Sequence, residues 1–322
     1  MNVPRLPESE MEETGARFCA GLQRVAPALA PHGRRLLASI STPNWTLEWG
    51  LPRWLGDAFG LPPELSDGLV LANAYGLAFV RLVDDLADGE AAGFKPAEVV
   101  LLAGAMHSLW IGQVRQVTGG AAGPPAGRDG LVRFWRDFAE YRTQGVRATL
   151  DDRLPPVPFR AYTEADFRRL AARGAPLKVC CAAACLLAGR EHDLPALADA
   201  IDQLLVGAVL LDHALDWPED LAGGRPNAFI AYASNLPQTA KNRDDNRRRV
   251  LEAILLGRGA GPYFARIGER LRAARVTADA LPCAGLAAFL AWLDRETAAY
   301  AARLRGEANT RLRAAAGAFM KL

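Results

Sequence analysis

Apolar residues recur along the chain at the three-to-four-residue spacing of a helix face, and the alternation expected of a half-buried strand is close to absent. The pattern predicts an all-α fold with helices over 10–29, 64–89, 96–118, 129–150, 159–188, 194–217, 238–257, 261–275 and 284–318. Gly/Pro-rich runs at 119–127 and 154–158 read as loops. A third such run, Ala222-Gly223-Gly224-Arg225-Pro226-Asn227, serves equally as a helix stop or as a backbone that lets Arg225 close over an anion. No internal repeat or second-domain linker is apparent. Residues 1–322 are therefore expected as one helical domain, or two tightly joined parts, with an N-terminal extension over about 1–9.

Two predicted helices carry acids inside apolar runs. Leu77-Ala78-Phe79-Val80-Arg81-Leu82-Val83 leads into Asp84-Asp85-Leu86-Ala87-Asp88, and the apolar run 204–211 leads into Asp212-His213-Ala214-Leu215-Asp216-Trp217-Pro218-Glu219-Asp220. Burying an ionised carboxylate costs several kcal/mol or more without a neutralising partner, and basic residues nearby are too few. Asp84 and Asp88 fall one turn apart on one face with Asp85 flanking, while Asp212, Asp216 and Asp220 stay within roughly 80° of arc, with Glu219 close to the same line. Pro218 is expected to kink the helix, either aiming the later carboxylates or ending the strip after Asp216. Hard oxygen donors favour Mg²⁺, or Mn²⁺, over zinc, and Mg²⁺ is usually held by few carboxylates plus substrate phosphate. The competing reading is a pair of solvated helix faces.

Composition narrows the classes. With 50% hydrophobic residues, a net charge of +2 and 38 scattered basic residues, the chain is expected to bury a large core and to bind no nucleic acid. Arg247-Arg248-Arg249 reads as a solvated helix face. Cys180, Cys181 and Cys185, three of the five cysteines, lack metal-ligand spacing to histidine and read as small buried hydrophobes in a reducing compartment. Residues 1–13 contain no apolar leader core, and no run of about 18 uncharged apolar residues occurs later, so a cytoplasmic protein without stable membrane insertion is expected. Without an export signal, the acceptor-like Asn44-Trp45-Thr46 carries no weight.

The two acidic helices resemble those of the class I isoprenoid synthase superfamily, over about Ala72 to Tyr232. Asp84-Asp85-Leu86-Ala87-Asp88 is similar to that family's first DDxxD motif. Asp212-His213-Ala214-Leu215-Asp216 is similar to the second DDxxD of chain-elongating synthases, with His213 in place of an Asp. The spacing of Asp212, Asp216 and Asp220 also resembles the metal triad of terpene cyclases, and Glu219-Asp220 followed by Gly224-Arg225 resembles phytoene synthases. Lys178, in Ala175-Pro176-Leu177-Lys178-Val179, stands where elongating enzymes carry a diphosphate-binding lysine; the bland reading is a lysine snorkelling at a helix end.

The resemblance implies a helical bundle around a central active-site cavity. Asp84, Asp88, Asp212, Asp216 and Asp220 would hold Mg²⁺, three ions in all, against the diphosphate of an allylic prenyl substrate, with Lys178, Arg225 and Arg173 donating to it and Asp85 bonding such a cation. Ionisation leaves a carbocation, for which Tyr75, Phe79, Trp110, Trp217, Phe229 and Trp292 are candidate walls, each also a candidate for plain core packing. Bulk at the position of Phe79, five residues before Asp84, shortens the product in elongating relatives and points to a C15 chain. Gly89-Glu90-Ala91-Ala92-Gly93-Phe94-Lys95 lacks the arginines that bind a second diphosphate in those enzymes, and Gly33-Arg34-Arg35-Leu36 only loosely matches their other anion segment. The expected activity is therefore a C15 or C20 terpene cyclase. Rival readings are a prenyl diphosphate synthase or head-to-head prenyltransferase, and a non-catalytic regulatory subunit of a synthase. A helical phosphohydrolase finds no His-Asp pairing among His32, His107, His192 and His213. A homodimer is compatible with the resemblance.

Overall fold

The computed structural model describes residues 6–42, 45–89, 93–119, 127–151, 162–225, 227–234, 249–250, 252–254 and 259–319. The structure is 91% helical, and no strand occurs among the described residues, so the fold is all-α. The helix expected over 238–257 falls mostly outside the described residues, as do the loop at 154–158 and all but the ends of the loop at 119–127.

The helices are α1 (Glu8–Val25), α2 (Ala30–Ile40), α3 (Thr46–Phe59), α4 (Pro63–Asp88), α5 (Pro96–Thr118), α6 (Gly127–Asp151), α7 (Glu164–Ala171), α8 (Lys178–Ala188), α9 (Leu194–Gly223), α10 (Ala228–Ser234), α11 (Ala260–Ala280) and α12 (Ala284–Phe319). The periodicity missed α2 and α3. Pro27 opens a 3-10 turn, Pro27–Leu29, that separates α1 from α2. α3 runs through Gly50, Pro52 and Gly56, weak helix formers, because most of its residues are buried. The helix expected over 159–188 is instead α7, a 3-10 turn Ala172–Leu177 containing Pro176, and α8.

Contacts gather the chain into two compact units, one of Met1–Asp152, Ala172–Ile201 and Arg275–Phe289, the other of Arg153–Ala171, Asp202–Ala274 and Leu290–Leu322. In the first, α4 is the central element, buried on all sides from Leu69 to Ala78 and packed by α1, α2, α3, α5, α6, α8 and the 3-10 turn Ala172–Leu177. Its close approach to α5 depends on Gly76, since a Cβ there would lie 2.8 Å from the Trp110 indole. Gly145 of α6 plays the same part for that 3-10 turn, where a Cβ would lie 2.6 Å from Pro176 Cδ. That contact fixes the short segment carrying Arg173 and leading into Lys178.

In the second unit the later turns of α9 meet α10 and α11. Tyr263 donates from its hydroxyl to the Leu210 carbonyl at 3.0 Å, and fully buried Phe229 packs against Trp217, Tyr263 and Phe264. Arg270 joins α7, α9 and α11 by reaching Glu164 at 2.6 Å and Gln203 at 2.8 Å.

By length and mean hydropathy, Pro96–Thr118, Glu164–Ala188 and Glu191–Gly223 each suffice to cross a membrane. Charged residues, among them Arg115, Lys178 and Asp202, interrupt these stretches, which is why none reads as an uncharged apolar run.

Glu48 is the costly group of this core. Its backbone carbonyl accepts a hydrogen bond from Asn73 of α4, while its Oε2 is buried with no hydrogen-bond partner among the described residues. Burial pushes its carboxyl up to about 7, against a smaller opposing pull from its own backbone N–H. A folded value above the unfolded one makes the native state hold more protons between about 4.5 and about 7, so stability falls with rising pH across that window. We expect the wild type to lose on the order of 3 kcal/mol at most between pH 4.5 and pH 8 relative to Glu48→Gln. Urea midpoints across that range check it, and parallel pH profiles for the two proteins would refute the assignment.

Candidate functional site

The first acidic cluster closes α4. Gly89, at φ +69°, takes the left-handed conformation that stops the helix one residue after Asp88, so Asp85 and Asp88 occupy a last turn without a basic residue. Carbonyl groups converge at such an end, and its partial negative charge disfavours carboxylates by ~0.3–1 kcal/mol each. Asp85 is buried, and its Oδ1 accepts from Arg81 Nη2 at 2.8 Å, one turn back on the same helix. A cation on Asp85 thus comes from one turn before the motif on the same helix, a source beyond the Lys178, Arg173 and Arg225 that the resemblance implies. Asp84 is half-buried, and the side chain of Asp88 lies outside the described residues.

Lys178 and Arg173 belong to the same unit as this cluster. Lys178 is only 5% exposed and its Nζ lies 4.8 Å from the centroid of Tyr141, so it does not reach for solvent. It is the first residue of α8, which continues without a break from the 3-10 turn Ala172–Leu177. A buried ammonium there suits an anion. Arg173 is half-buried on the 3-10 turn, with its carbonyl against Gly145.

The aromatic candidates divide. Tyr75 donates to the Arg17 carbonyl at 3.4 Å and stacks on Phe18 at 5.0 Å, and burial pushes its phenol up to about 12. It is a neutral core residue directed at α1. Trp110 and Phe229 are likewise fully enclosed. Phe79 is half-buried and packs on His107 at 5.0 Å and Trp110 at 6.1 Å, the upper end of a ring stack that continues to Phe138. His107 accepts from Arg142 at 2.8 Å, and burial together with that guanidinium lowers its pKa and keeps it neutral.

Beyond the end of α4, Arg35 of α2 lies with its guanidinium carbon 3.8 Å from the Phe94 ring centroid. His32 meets the same ring edge-on, 5.6 Å away, and its Nε2 is 3.9 Å from Glu98. The Gly33-Arg34-Arg35 segment, only a loose sequence match to an anion-binding segment, therefore sits against the residues that follow the first acidic cluster.

The second cluster closes α9. The helix runs through Pro218 to Gly223, so the proline does not end the strip before Asp220. Asp212, Asp216 and Glu219 are exposed and Asp220 is half-buried. Burial, then Asp220 and Glu219, raise the carboxyl pKa of Asp216 against the opposing pull of Arg225. Gly224, at φ +69°, reverses the chain so that Arg225 N–H donates to the Asp220 carbonyl at 2.8 Å, and the Arg225 side chain reaches Asp220 Oδ1 through Nε, also at 2.8 Å.

Two residues that sequence reasoning left without a role hold this end together. Asn227 is fully buried; its Nδ2 lies 2.8 Å from both Asp220 Oδ2 and the His213 carbonyl, and its Oδ1 accepts the Ile230 N–H at 3.0 Å, capping α10. Ala228 N–H donates to His213 Nδ1 at 2.8 Å, which leaves the proton of a neutral imidazole on Nε2. An Asn immediately after Arg-Pro and just before an apolar run was the available signal, as a helix N-cap.

Among the described residues no three His, Cys, Asp or Glu side chains stand together as a preformed metal-ligating group. Mg²⁺ seldom relies on an all-protein cage and takes one or two carboxylates with substrate phosphate, so the oxygen donors of Asp212, Asp216 and Asp220 fit it. The chain matches no protein-family model and no curated protein.

If Arg81 neutralises Asp85 as the geometry implies, Arg81→Met strands a buried charge. The full penalty for breaking a buried pair is ~3–5 kcal/mol. Arg81 is one-third exposed, so we expect about 1–3 kcal/mol of destabilisation, largely recovered in Arg81→Met/Asp85→Leu. Equal losses in the single and double variants, measured by chemical denaturation, would show that Asp85 relies on another partner.

Proposed function

We propose that the protein is a Mg²⁺-dependent class I terpene synthase that ionises an allylic prenyl diphosphate of C15 or C20 and cyclises the carbocation with release of diphosphate. The observation that carries this reading is that two acidic clusters each end a long apolar helix, with no basic residue in the last turn of either. Carboxylates at the negative ends of helices create a demand for cations that neither helix supplies from its own last turn.

Mg²⁺ supplies Lewis-acid charge against the diphosphate as the carbon–oxygen bond breaks. Asp84 and Asp88 on α4 are proposed as oxygen ligands for it, and so, separately, are Asp212, Asp216 and Asp220 on α9. Lys178, a buried ammonium, binds diphosphate as a point charge, with Arg225 and Arg173 offering planar donors. Phe79, less enclosed than Tyr75, Trp110 or Phe229, is the aromatic best placed to contact the prenyl chain. Asp85, engaged by Arg81, keeps the end of α4 in shape.

Arg35 over Phe94 favours a second reading, in which another prenyl diphosphate binds beyond α4 and the enzyme elongates or couples chains. Farnesyl and geranylgeranyl diphosphate, each supplied with Mg²⁺ and with or without isopentenyl diphosphate, separate the two. Cyclic hydrocarbon from one substrate supports cyclisation. An extended diphosphate that requires isopentenyl diphosphate, or a product of doubled carbon number, overturns it. Asp84→Ala and Asp212→Ala should each lower diphosphate release at least about a hundredfold with helicity unchanged. Normal turnover in both variants would remove the metal assignment, and a wild type that releases no diphosphate from either substrate would revive the regulatory-subunit reading.

A further inference from the structure

We infer that Arg225 is an exchangeable latch on the second acidic cluster, holding Asp220 in the metal-free protein and transferring to the diphosphate when a divalent cation takes its place. The inference rests on the metal-dependent reading above.

The two oxygens of Asp220 have partners of opposite kind. Oδ2 accepts from Asn227, which is fully buried and fixed by three hydrogen bonds to Asp220, His213 and Ile230. Oδ1 faces Arg225 Nε at 2.8 Å, and the Arg225 side chain is 60% exposed. One oxygen is therefore anchored from inside the protein, and the other is neutralised from the solvent side by a group whose ion pair is screened and weak. The Asn227 contact keeps Asp220 oriented when Arg225 departs, because it does not involve Oδ1.

Arg225 and a divalent cation compete for that oxygen, as both bring positive charge to it. Once diphosphate arrives, the competition becomes cooperation: Arg225 gives up Oδ1 and its planar N–H groups donate to diphosphate oxygens. Gly224 is the pivot that allows it, since the reversal at φ +69° holds the Arg225 backbone to the Asp220 carbonyl while the side chain swings. Linkage then requires Arg225 to oppose metal binding in the absence of diphosphate and to favour it in its presence.

The test is the affinity of the full-length protein for Mn²⁺, read by electron paramagnetic resonance or calorimetry, alone and then with inorganic diphosphate. Arg225→Gln, at an exposed position, should bind Mn²⁺ alone about two- to fivefold more tightly than the wild type. With diphosphate present the same variant should bind about tenfold more weakly. A merely structural role would move both affinities in one direction. In an Asp220→Asn background, which removes the contested charge, the gain with Mn²⁺ alone should vanish. An Arg225→Gln variant that binds Mn²⁺ alone no more tightly than wild type, or a gain that survives Asp220→Asn, overturns the latch while leaving the metal-dependent reading intact. A wild type that binds no Mn²⁺ under either condition overturns that reading and the latch with it.

Discussion

Negative charge placed at the negative end of a helix is the constraint on which the candidate site depends. Both α4 and α9 are long, apolar and terminated by a left-handed glycine, and both keep their acids for the final turns. The acids in the last turns, Asp85 and Asp88 on α4 and Asp220 on α9, oppose the helix dipole, and α9 also crowds Asp216, Glu219 and Asp220, whose mutual repulsion contributes to the raised Asp216 carboxyl. Such an arrangement costs stability at two separate helix ends, and the proposed role for its charge is the holding of cations.

The two clusters meet this constraint differently. On α4 the compensating Arg81 lies inside the helix one turn before Asp85, and Asp85 is buried, so the pair belongs to the fold. On α9 the compensating Arg225 comes from beyond the helix end and remains mostly exposed. Asp85 of α4 is thus engaged from within its own helix, whereas Asp220 Oδ1 of α9 is held from the solvent side.

Much of this was legible in the chain because both signals are local. A 3.6-residue apolar period placed α4, α5 and α6 to within about two residues and the start of α9 at Leu194, although α9 runs on to Gly223 rather than ending at 217. Tertiary burial decided what periodicity misread. α3 contains Gly50, Pro52 and Gly56, and no single-helix argument keeps it whole, but packing on both sides does. The aromatic residues were equally opaque: Tyr75 and Phe79 stand one turn apart on α4, yet one donates a hydrogen bond to α1 and the other packs, half-buried, on His107. Asn227 and His213 were missed because their roles depend on the chain reversing at Gly224, which brings together positions 14 and 15 residues apart.

That reversal also dissolves an apparent choice. The glycine run after the second cluster read either as ordinary helix punctuation or as a hinge placing Arg225 near an anion. The structure uses one device for both: the left-handed turn at Gly224 satisfies the last carbonyl groups of α9, and the same turn delivers the Arg225 guanidinium to the carboxylate of Asp220. A helix stop made with any other residue would pay steric strain for that conformation and aim the next side chain less freely. The stop and the cation it positions are therefore a single feature, and substitution of Gly224 disturbs the two together.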